Sequence, residues 1–225
     1  PTFKQAMSGP ERAEWMSALD VEINNFANRD IFEEVPEDSL PTWDPAKKRA
    51  VEVTDMMWAL VKKYNEMRQL LKYKARGLVR GDLTAAVDSK LGLPPQDTFA
   101  PTSRHSTCKM VMAGACVRAH ERKVQGKAIN KIRVRTADAE AAFLQGKQPE
   151  QARPLYVRPP PGYRKFDRRG VPIVWRITGN IYGTKNAPRV WYETLLPQLI
   201  GSKLNFTQSE VDPCYLYKIY PDGTR

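Results

Sequence analysis

Residues 136–146 read Thr136-Ala-Asp138-Ala-Glu-Ala-Ala-Phe143-Leu-Gln-Gly146, and the reading of the whole chain turns on them. Just upstream, Ile132, Val134 and Thr136 alternate with Arg133 and Arg135. That alternation predicts a half-buried strand with Asp138 at its C-terminal end. A carboxylate ending a basic strand is a sensible place to hold a metal ion. By itself, however, a strand-end aspartate is more often a helix cap or a turn residue. Phe143 alone is more often ordinary core. Spacing does not separate these readings.

Working outward, residues 10–30 predict an amphipathic helix, with Trp15, Leu19, Ile23 and Phe26 at helical spacing and Pro10 suited to its start. Residues 36–55, rich in Pro, Asp and Lys, read as a loop. Met57 to Val61 read as a strand, followed by a basic stretch through Arg80. Pro94, Pro95 and Pro101 bracket an irregular connection, and residues 104–121 predict a helix with Ser103 as candidate N-cap. The Pro-, Arg- and Gly-rich stretch 153–172 reads as an extended loop. A second helix is expected from Pro188 to Leu199. A strand over 215–220 should follow, leaving an exposed sheet edge. Helices and strands interleave without regular alternation, which predicts an α+β fold. No solenoid-period repeat or low-complexity tract is present.

The 225 residues suffice for one large domain or two small ones, and 41 % hydrophobic and 27 % charged content is ordinary for a globular chain. The net charge of +11 is unevenly spread. Residues 1–60 hold 6 Lys/Arg against 12 Asp/Glu, whereas residues 61–225 hold 30 against 13. Such a basic body suits a polyanionic partner, and equally a solvated basic surface. No stretch approaches the roughly 20 apolar residues that cross a bilayer, and no signal-peptide pattern opens the chain. Both ends read as cuts through a longer polypeptide. Cys108, Cys116 and Cys214 are an odd number without framework spacing, which points to a reducing compartment. His105, Cys108, Cys116 and His120 look like zinc ligands, but all fall on one predicted helix. Its ~1.5 Å rise per residue would part the two histidines by about 22 Å. Zinc ligands must each lie about 2 Å from the ion, so the geometry argues against zinc.

Four blocks follow in order: Lys72-Tyr73-Lys74-Ala75-Arg76; Thr98-Phe99-Ala100-Pro101; the Asp138 to Gly146 segment; and Pro159-Pro160-Pro161-Gly162-Tyr163. Together they resemble copia-type retrotransposon reverse transcriptases. Ile181-Tyr182-Gly183-Thr184-Lys185-Asn186-Ala187-Pro188-Arg189-Val190-Trp191 is similar to the family's Leu-Tyr-Gly-Leu-Lys-Gln-Ala-Pro-Arg-x-Trp. Ser209-Glu210-Val211-Asp212-Pro213-Cys214-Tyr215 is like its Ser-x-x-Asp-x-Cys-x-Tyr stretch, and Trp15 and Glu22 fit its opening helix. Departures are Gly77 in the Ala-Arg-Leu-Val run, Ala141 where a polar residue is usual, Thr184 for Leu and Asn186 for Gln.

The resemblance implies a right-hand polymerase-like fold with fingers and a partial palm. An acidic lead-in would occupy 1–49, fingers 50–103 and 146–190, and palm 104–145 and 191–225. Asp138 would be the catalytic, first metal-binding aspartate, with the Ala139 carbonyl as a further ligand and two Mg²⁺ in the complete enzyme. Lys74 and Arg76 would grip the incoming triphosphate, and Phe143 would lie under its sugar and favour deoxynucleotides. Tyr182, Gly183 and Lys185 would line the nucleotide pocket. Arg122, Lys123, Lys127, Lys131, Arg133, Arg135 and Arg189, with the arginines of 153–169, would touch the template–primer backbone. Implied partners are an RNA/DNA template–primer, deoxynucleoside triphosphates, and ribonuclease H and integrase segments of a Pol polyprotein. Its place would be intracellular: cytoplasm, virus-like particles or nucleus. The family's Tyr-x-Asp-Asp turn would lie beyond Arg225, and no Asp-Asp pair occurs in the chain. The expectation is therefore part of an RNA-directed DNA polymerase, inactive as this chain alone. The alternative is a decayed retroelement remnant that only binds nucleic acid.

Overall fold

The computed structural model describes residues 1–40, 53–82, 98–127, 133–147 and 154–219. It parts into two units, Pro1–Phe99 with Ala142–Trp191, and Ala100–Ala141 with Tyr192–Arg225.

The first unit opens with a short helix, α1 (Phe3–Ser8), held by a capping box in which Thr2 and Gln5 satisfy one another's backbone N–H groups. Helix α2 (Arg12–Ala27) follows and buries Trp15, Leu19, Glu22 and Phe26 along one stripe. Five strands form the sheet: β1 (Phe32–Pro36), β2 (Val53–Tyr64), β3 (Leu70–Val79), β4 (Leu155–Arg158) and β5 (Ile173–Ile177). Their order is β1-β5-β4-β2-β3. Only β2 and β4 run parallel; the other pairs are antiparallel. The expected mixed, irregular alternation of helix and strand is present. The acidic lead-in is no separate appendage, because α2 packs on β3 and β1 pairs with β5.

Residues 153–172 depart from the expected loop by containing β4. Four residues are too few for periodicity to declare, and this strand is made by its neighbours: β2 pairs with one edge and β5 with the other. The Pro159–Tyr163 block then acts as a clasp. Pro159 and Pro160 are fully buried, and the Trp58 indole N–H donates to the Pro161 carbonyl at 2.9 Å. Tyr163 meets the Trp58 ring edge-on and donates its hydroxyl to Asp20 on α2 at 2.6 Å. Burial, reinforced by Asp20, pushes the Tyr163 phenol well above its ordinary range.

Several arginines and lysines near this block pair with the acidic lead-in. Arg158 meets Glu37 at 2.7 Å, Lys165 meets Glu34 at 2.8 Å, and Arg176 meets Glu33 at 3.2 Å. Arg169 bridges Asp38 and Asp167. Such exposed pairs each contribute little stability. They do show that part of the charge contrast between the two ends of the sequence is met within the fold.

Gly77, a departure in sequence, has a packing reason. It lies opposite Trp58 in the β2–β3 ladder, and a Cβ there would stand 2.9 Å from Phe26 Cε2. The Phe26 ring is fully buried and has no room to withdraw. Gly77→Ala is expected to destabilise the chain by about 1–3 kcal/mol through overpacking, read as a lowered urea midpoint.

In the second unit, α3 (His105–Val124) is the long helix expected. Ser103 is not its N-cap. Arg104 takes that position without a side-chain cap, and Asp212 satisfies the helix start from far along the chain. Asp212 Oδ2 accepts from the Arg104 N–H at 3.1 Å and Oδ1 from the Cys214 N–H at 2.9 Å. Ser209 Oγ in turn accepts from the Val211 N–H at 3.2 Å. The Ser209–Cys214 stretch is thus a turn that caps α3. The helix α4 (Ala187–Ile200) begins in the first unit and continues in the second, close to the span expected. The 215–220 strand shrinks to β7 (Leu216–Tyr217), paired with β6 (Thr207–Gln208); Tyr220 lies outside the described residues.

The strand expected to end at Asp138 is not formed. Residues 133–139 are irregular and exposed. Alternation supplies the faces of a strand but not the neighbour that must satisfy its N–H and C=O groups, and among the described residues no strand pairs with this segment. Ala141 then turns the chain with φ of 48°, a conformation that Asn or Asp tolerates better than Ala.

The Thr107 hydroxyl first, then the Arg104 N–H, hold the Asp212 carboxyl below its ordinary range. A carboxyl lowered on folding lends stability above its unfolded value and loses it as pH falls through the folded value. Acid should therefore fray α3 as the pH drops below the usual aspartate range, and Asp212→Ala should give the same loss of helical circular dichroism at neutral pH.

Candidate functional site

Strand β3 is a sheet edge, and its period-two alternation separates two functions. Tyr73, Ala75, Gly77 and Val79 form the face toward α2, where Trp15 meets Tyr73 edge-on at 4.8 Å between centroids. Lys74 and Arg76 occupy the alternate positions. The outer edge needs partners for its N–H groups, and two segments supply them. Glu22 Oε1 accepts from the Gly77 N–H at 3.2 Å, and the Tyr182 carbonyl accepts from the Val79 N–H at 2.9 Å.

The Tyr182 bond lays the 181–183 turn along β3. Gly183 makes this possible, with φ of 91° and no side chain; a Cβ there would run into the Val79 backbone. The turn brings the Tyr182 ring beneath Arg76, whose Cζ stands 5.6 Å from the ring centroid. Phe143, from the 3₁₀ turn Ala142–Gln145, lies 5.8 Å from the same ring. Asn180 ties that turn in place: its N–H donates to Gly146 O at 3.3 Å and its amide to Ala187 O at 3.0 Å. Three separate stretches therefore meet at Arg76, Tyr182 and Phe143.

Charge at this edge is crowded. Burial first, then Arg76, Lys72 and Lys63, push the Lys74 ammonium below its ordinary value, and Glu22 opposes them. Burial raises the Glu22 carboxyl, while the Gly77 N–H, Arg76, Lys74 and Asn25 work the other way. Tyr182 is raised by burial and next by Glu22, with Arg76 and Arg29 opposing.

The remaining expected site residues are more scattered. Lys185 is exposed two residues past Gly183. Asp138 and Ala139 are exposed in the second unit's irregular segment. Arg122 and Lys123 close α3, where cations complement the helix dipole, and the Lys127 N–H donates to Arg122 O at 2.8 Å. Arg133 and Arg135 are exposed in the second unit, whereas Arg189 belongs to the first and reaches Phe99 O at 3.5 Å. Lys131 lies outside the described residues. Among the described residues, no group of three or more His, Cys, Asp or Glu is arranged to hold a metal ion. Nor is any described helix long and apolar enough to cross a membrane.

Two residues of the site carry weight that their sequence context did not assign. Glu22 has a visible signal, a carboxylate set in the apolar stripe of Trp15, Leu19 and Phe26. Asn180 has none, since its bonds run to Gly146 and Ala187.

The family described as reverse transcriptase (RNA-dependent DNA polymerase) matches residues 42–223. The chain belongs to that family. It is 30 % identical over 161 residues to the retrovirus-related Pol polyprotein from transposon RE2 of Arabidopsis thaliana, covering 71 % of this chain and 10 % of that protein. It is 29 % identical over 189 residues to the RE1 counterpart from the same plant, covering 83 % of this chain and 11 % of that protein. The Pol polyprotein from transposon TNT 1-94 of Nicotiana tabacum is 22 % identical over 222 residues, 99 % of this chain and 14 % of that protein. The chain thus spans about a tenth to a seventh of the length of these relatives. The copia-type resemblance holds across most of the sequence, and these matches do not favour the remnant reading. No solved structure matches the chain.

Gly183→Ala tests the turn that builds the site. A side chain there meets both positive φ and the Val79 backbone, so a loss of about 2–4 kcal/mol is expected in denaturant unfolding.

Proposed function

We propose that this chain supplies the nucleotide-gripping part of an RNA-directed DNA polymerase within a copia-type Pol polyprotein. The observation that carries the reading is the meeting of Arg76, Tyr182 and Phe143, with Lys74 on the same alternate face of β3. Arg76 offers a planar fork of donors to phosphate oxygens and Lys74 a mobile point charge. The Tyr182 ring steadies the guanidinium without neutralising it, since its phenol is raised above its ordinary range. Phe143 beside Tyr182 presents an apolar edge to a sugar, where a 2′-hydroxyl would be unwelcome. Gly183 lays the turn against Val79 beside the grip, and Lys185 is exposed to phosphate or template.

In this reading fingers come from 50–103 and 146–190 and palm from 104–145 and 191–225 of a right-hand-like polymerase. Support comes from a division of the chain whose boundaries fall after residues 99, 141 and 191. Arg122, Lys123, Lys127, Lys131, Arg133, Arg135 and Arg189 would follow a template–primer backbone without reading sequence. Arg158 and Arg169 are weaker candidates, because both meet carboxylates of the lead-in. The polyprotein would bring ribonuclease H and integrase segments.

Two Mg²⁺ would act on the 3′-hydroxyl and the leaving pyrophosphate in the complete enzyme. The described residues do not by themselves fit that pair. Asp138 and the Ala139 carbonyl offer one carboxylate and one neutral oxygen, and among the described residues no group of three His, Cys, Asp or Glu forms round them. No step of nucleotidyl transfer is therefore assigned to these residues alone.

Calorimetric titration of the chain with dATP tests the grip. Arg76→Ala should weaken binding about tenfold or more, the cost of a lost charged hydrogen bond. Phe143→Val should leave dATP affinity nearly intact while narrowing the preference for dATP over ATP. Equal dATP affinity in wild type and Arg76→Ala would remove this assignment.

A further inference from the structure

Among the described residues, Glu22 is the one acidic side chain buried in the first unit, at 7 % exposure. It stands on α2, 55 residues from its hydrogen-bond partner Gly77. Helix α2 could bury an apolar residue here, as it does at Leu19 and Phe26 on either side. A carboxylate is costly in such a place unless something charged answers it. What answers it is the outer edge of β3: the Gly77 N–H, then Arg76 and Lys74. Seen from the strand, the same arrangement is a row of cations, Lys72, Lys74 and Arg76, with Lys63 on β2 beside them and Glu22 as the opposing charge at Lys74.

We propose that Glu22 is a positioning residue and internal counter-anion of the nucleotide grip. It pins the free edge of β3 through the Gly77 N–H, and its fixed charge lies beside Arg76 and Lys74, the cations that a triphosphate would bind. The proposal rests on the reading of Lys74 and Arg76 given above. Two physical consequences follow. The empty grip is spared the mutual repulsion of its cations, so β3 keeps its register without ligand. The incoming triphosphate then binds against a fixed negative charge, which moderates its affinity and favours release.

Glu22→Gln separates these roles, because its amide oxygen still accepts from the Gly77 N–H while the charge is gone. Titrations of the full chain with tripolyphosphate and with dATP, at low salt and about pH 7.5, are the measurement. Glu22→Gln should melt with the wild type and bind tripolyphosphate about threefold to tenfold tighter, the size expected from removing one like charge near a protein surface. The gain should shrink in high salt. It should also shrink as the pH falls, because a protonated Glu22 is electrically equivalent to Gln. Lys74 and Arg76 on β3, Tyr182 on the adjoining turn and Asn25 on α2 itself lie within electrostatic reach of this carboxyl, and only Glu22 among them gains a proton in mildly acidic solution. Both histidines of the chain, His105 and His120, lie on α3 in the second unit.

Unchanged or weaker tripolyphosphate binding by Glu22→Gln, with Arg76→Ala still defective, would overturn the proposal and leave the grip intact. Wild-type binding by both Arg76→Ala and Lys74→Ala would overturn the grip itself, and this proposal with it. Should Glu22→Gln fail to fold, sulfate, which does not titrate in this range, serves with the wild type. Its direct binding should tighten as the pH falls from about 7.5 toward 5, and a flat profile would overturn the proposal.

Discussion

The outer edge of β3 is the constraint on which the first unit depends. An edge strand leaves N–H groups that water or another segment must satisfy, and here both kinds of protein partner are used. A side chain, Glu22, takes the Gly77 N–H, and a backbone carbonyl, Tyr182, takes the Val79 N–H. Neither bond forms unless two glycines yield space. Gly77 lets the Phe26 ring approach the strand, and Gly183 lets the following turn lie on Val79. The same few atoms thus fasten α2 to the sheet and set Tyr182 under Arg76.

That economy ties stability to the candidate site. Helix α2 is held a second time by the Pro159–Tyr163 clasp, through Tyr163 to Asp20 and to Trp58. The clasp fixes the helix against the middle of the sheet, while Glu22 and Phe26 fix it against the edge. A shift of α2 would therefore move the carboxylate that faces Lys74 and Arg76. Packing far from any ligand has in this way a direct electrostatic reading at the grip.

Charge tells a similar story of local context. The contrast between an acidic beginning and a basic remainder suggested a polyanionic partner. The structure resolves part of that contrast internally, through pairs such as Arg158 with Glu37 and Arg176 with Glu33. The cations of β3 are treated differently. They are crowded with one another and opposed by a buried carboxylate, and burial first, then that crowding, depresses Lys74. Sequence counts cannot distinguish these two uses of Lys and Arg, because they record sign and not neighbour.

Much was legible in the sequence. The helices α2, α3 and α4 and the strand β2 follow from local spacing, since a helix satisfies its own backbone and its apolar stripe shows within a few residues. The ordered motifs from Lys72 to Tyr215 established the family, which local chemistry alone could not. The strand that alternation predicts before Asp138 does not form, because pairing, not alternation, makes a strand. β4 gives no local signal for the converse reason, nor does the capping of α3 by Asp212, a contact 108 residues apart. The sequence by itself determined which faces are apolar and which family the chain belongs to, because both are written in residue type and order. Only the tertiary structure decided that Glu22, Arg76, Tyr182 and Phe143 share one edge, because the hydrogen bonds that place them join segments distant in the chain.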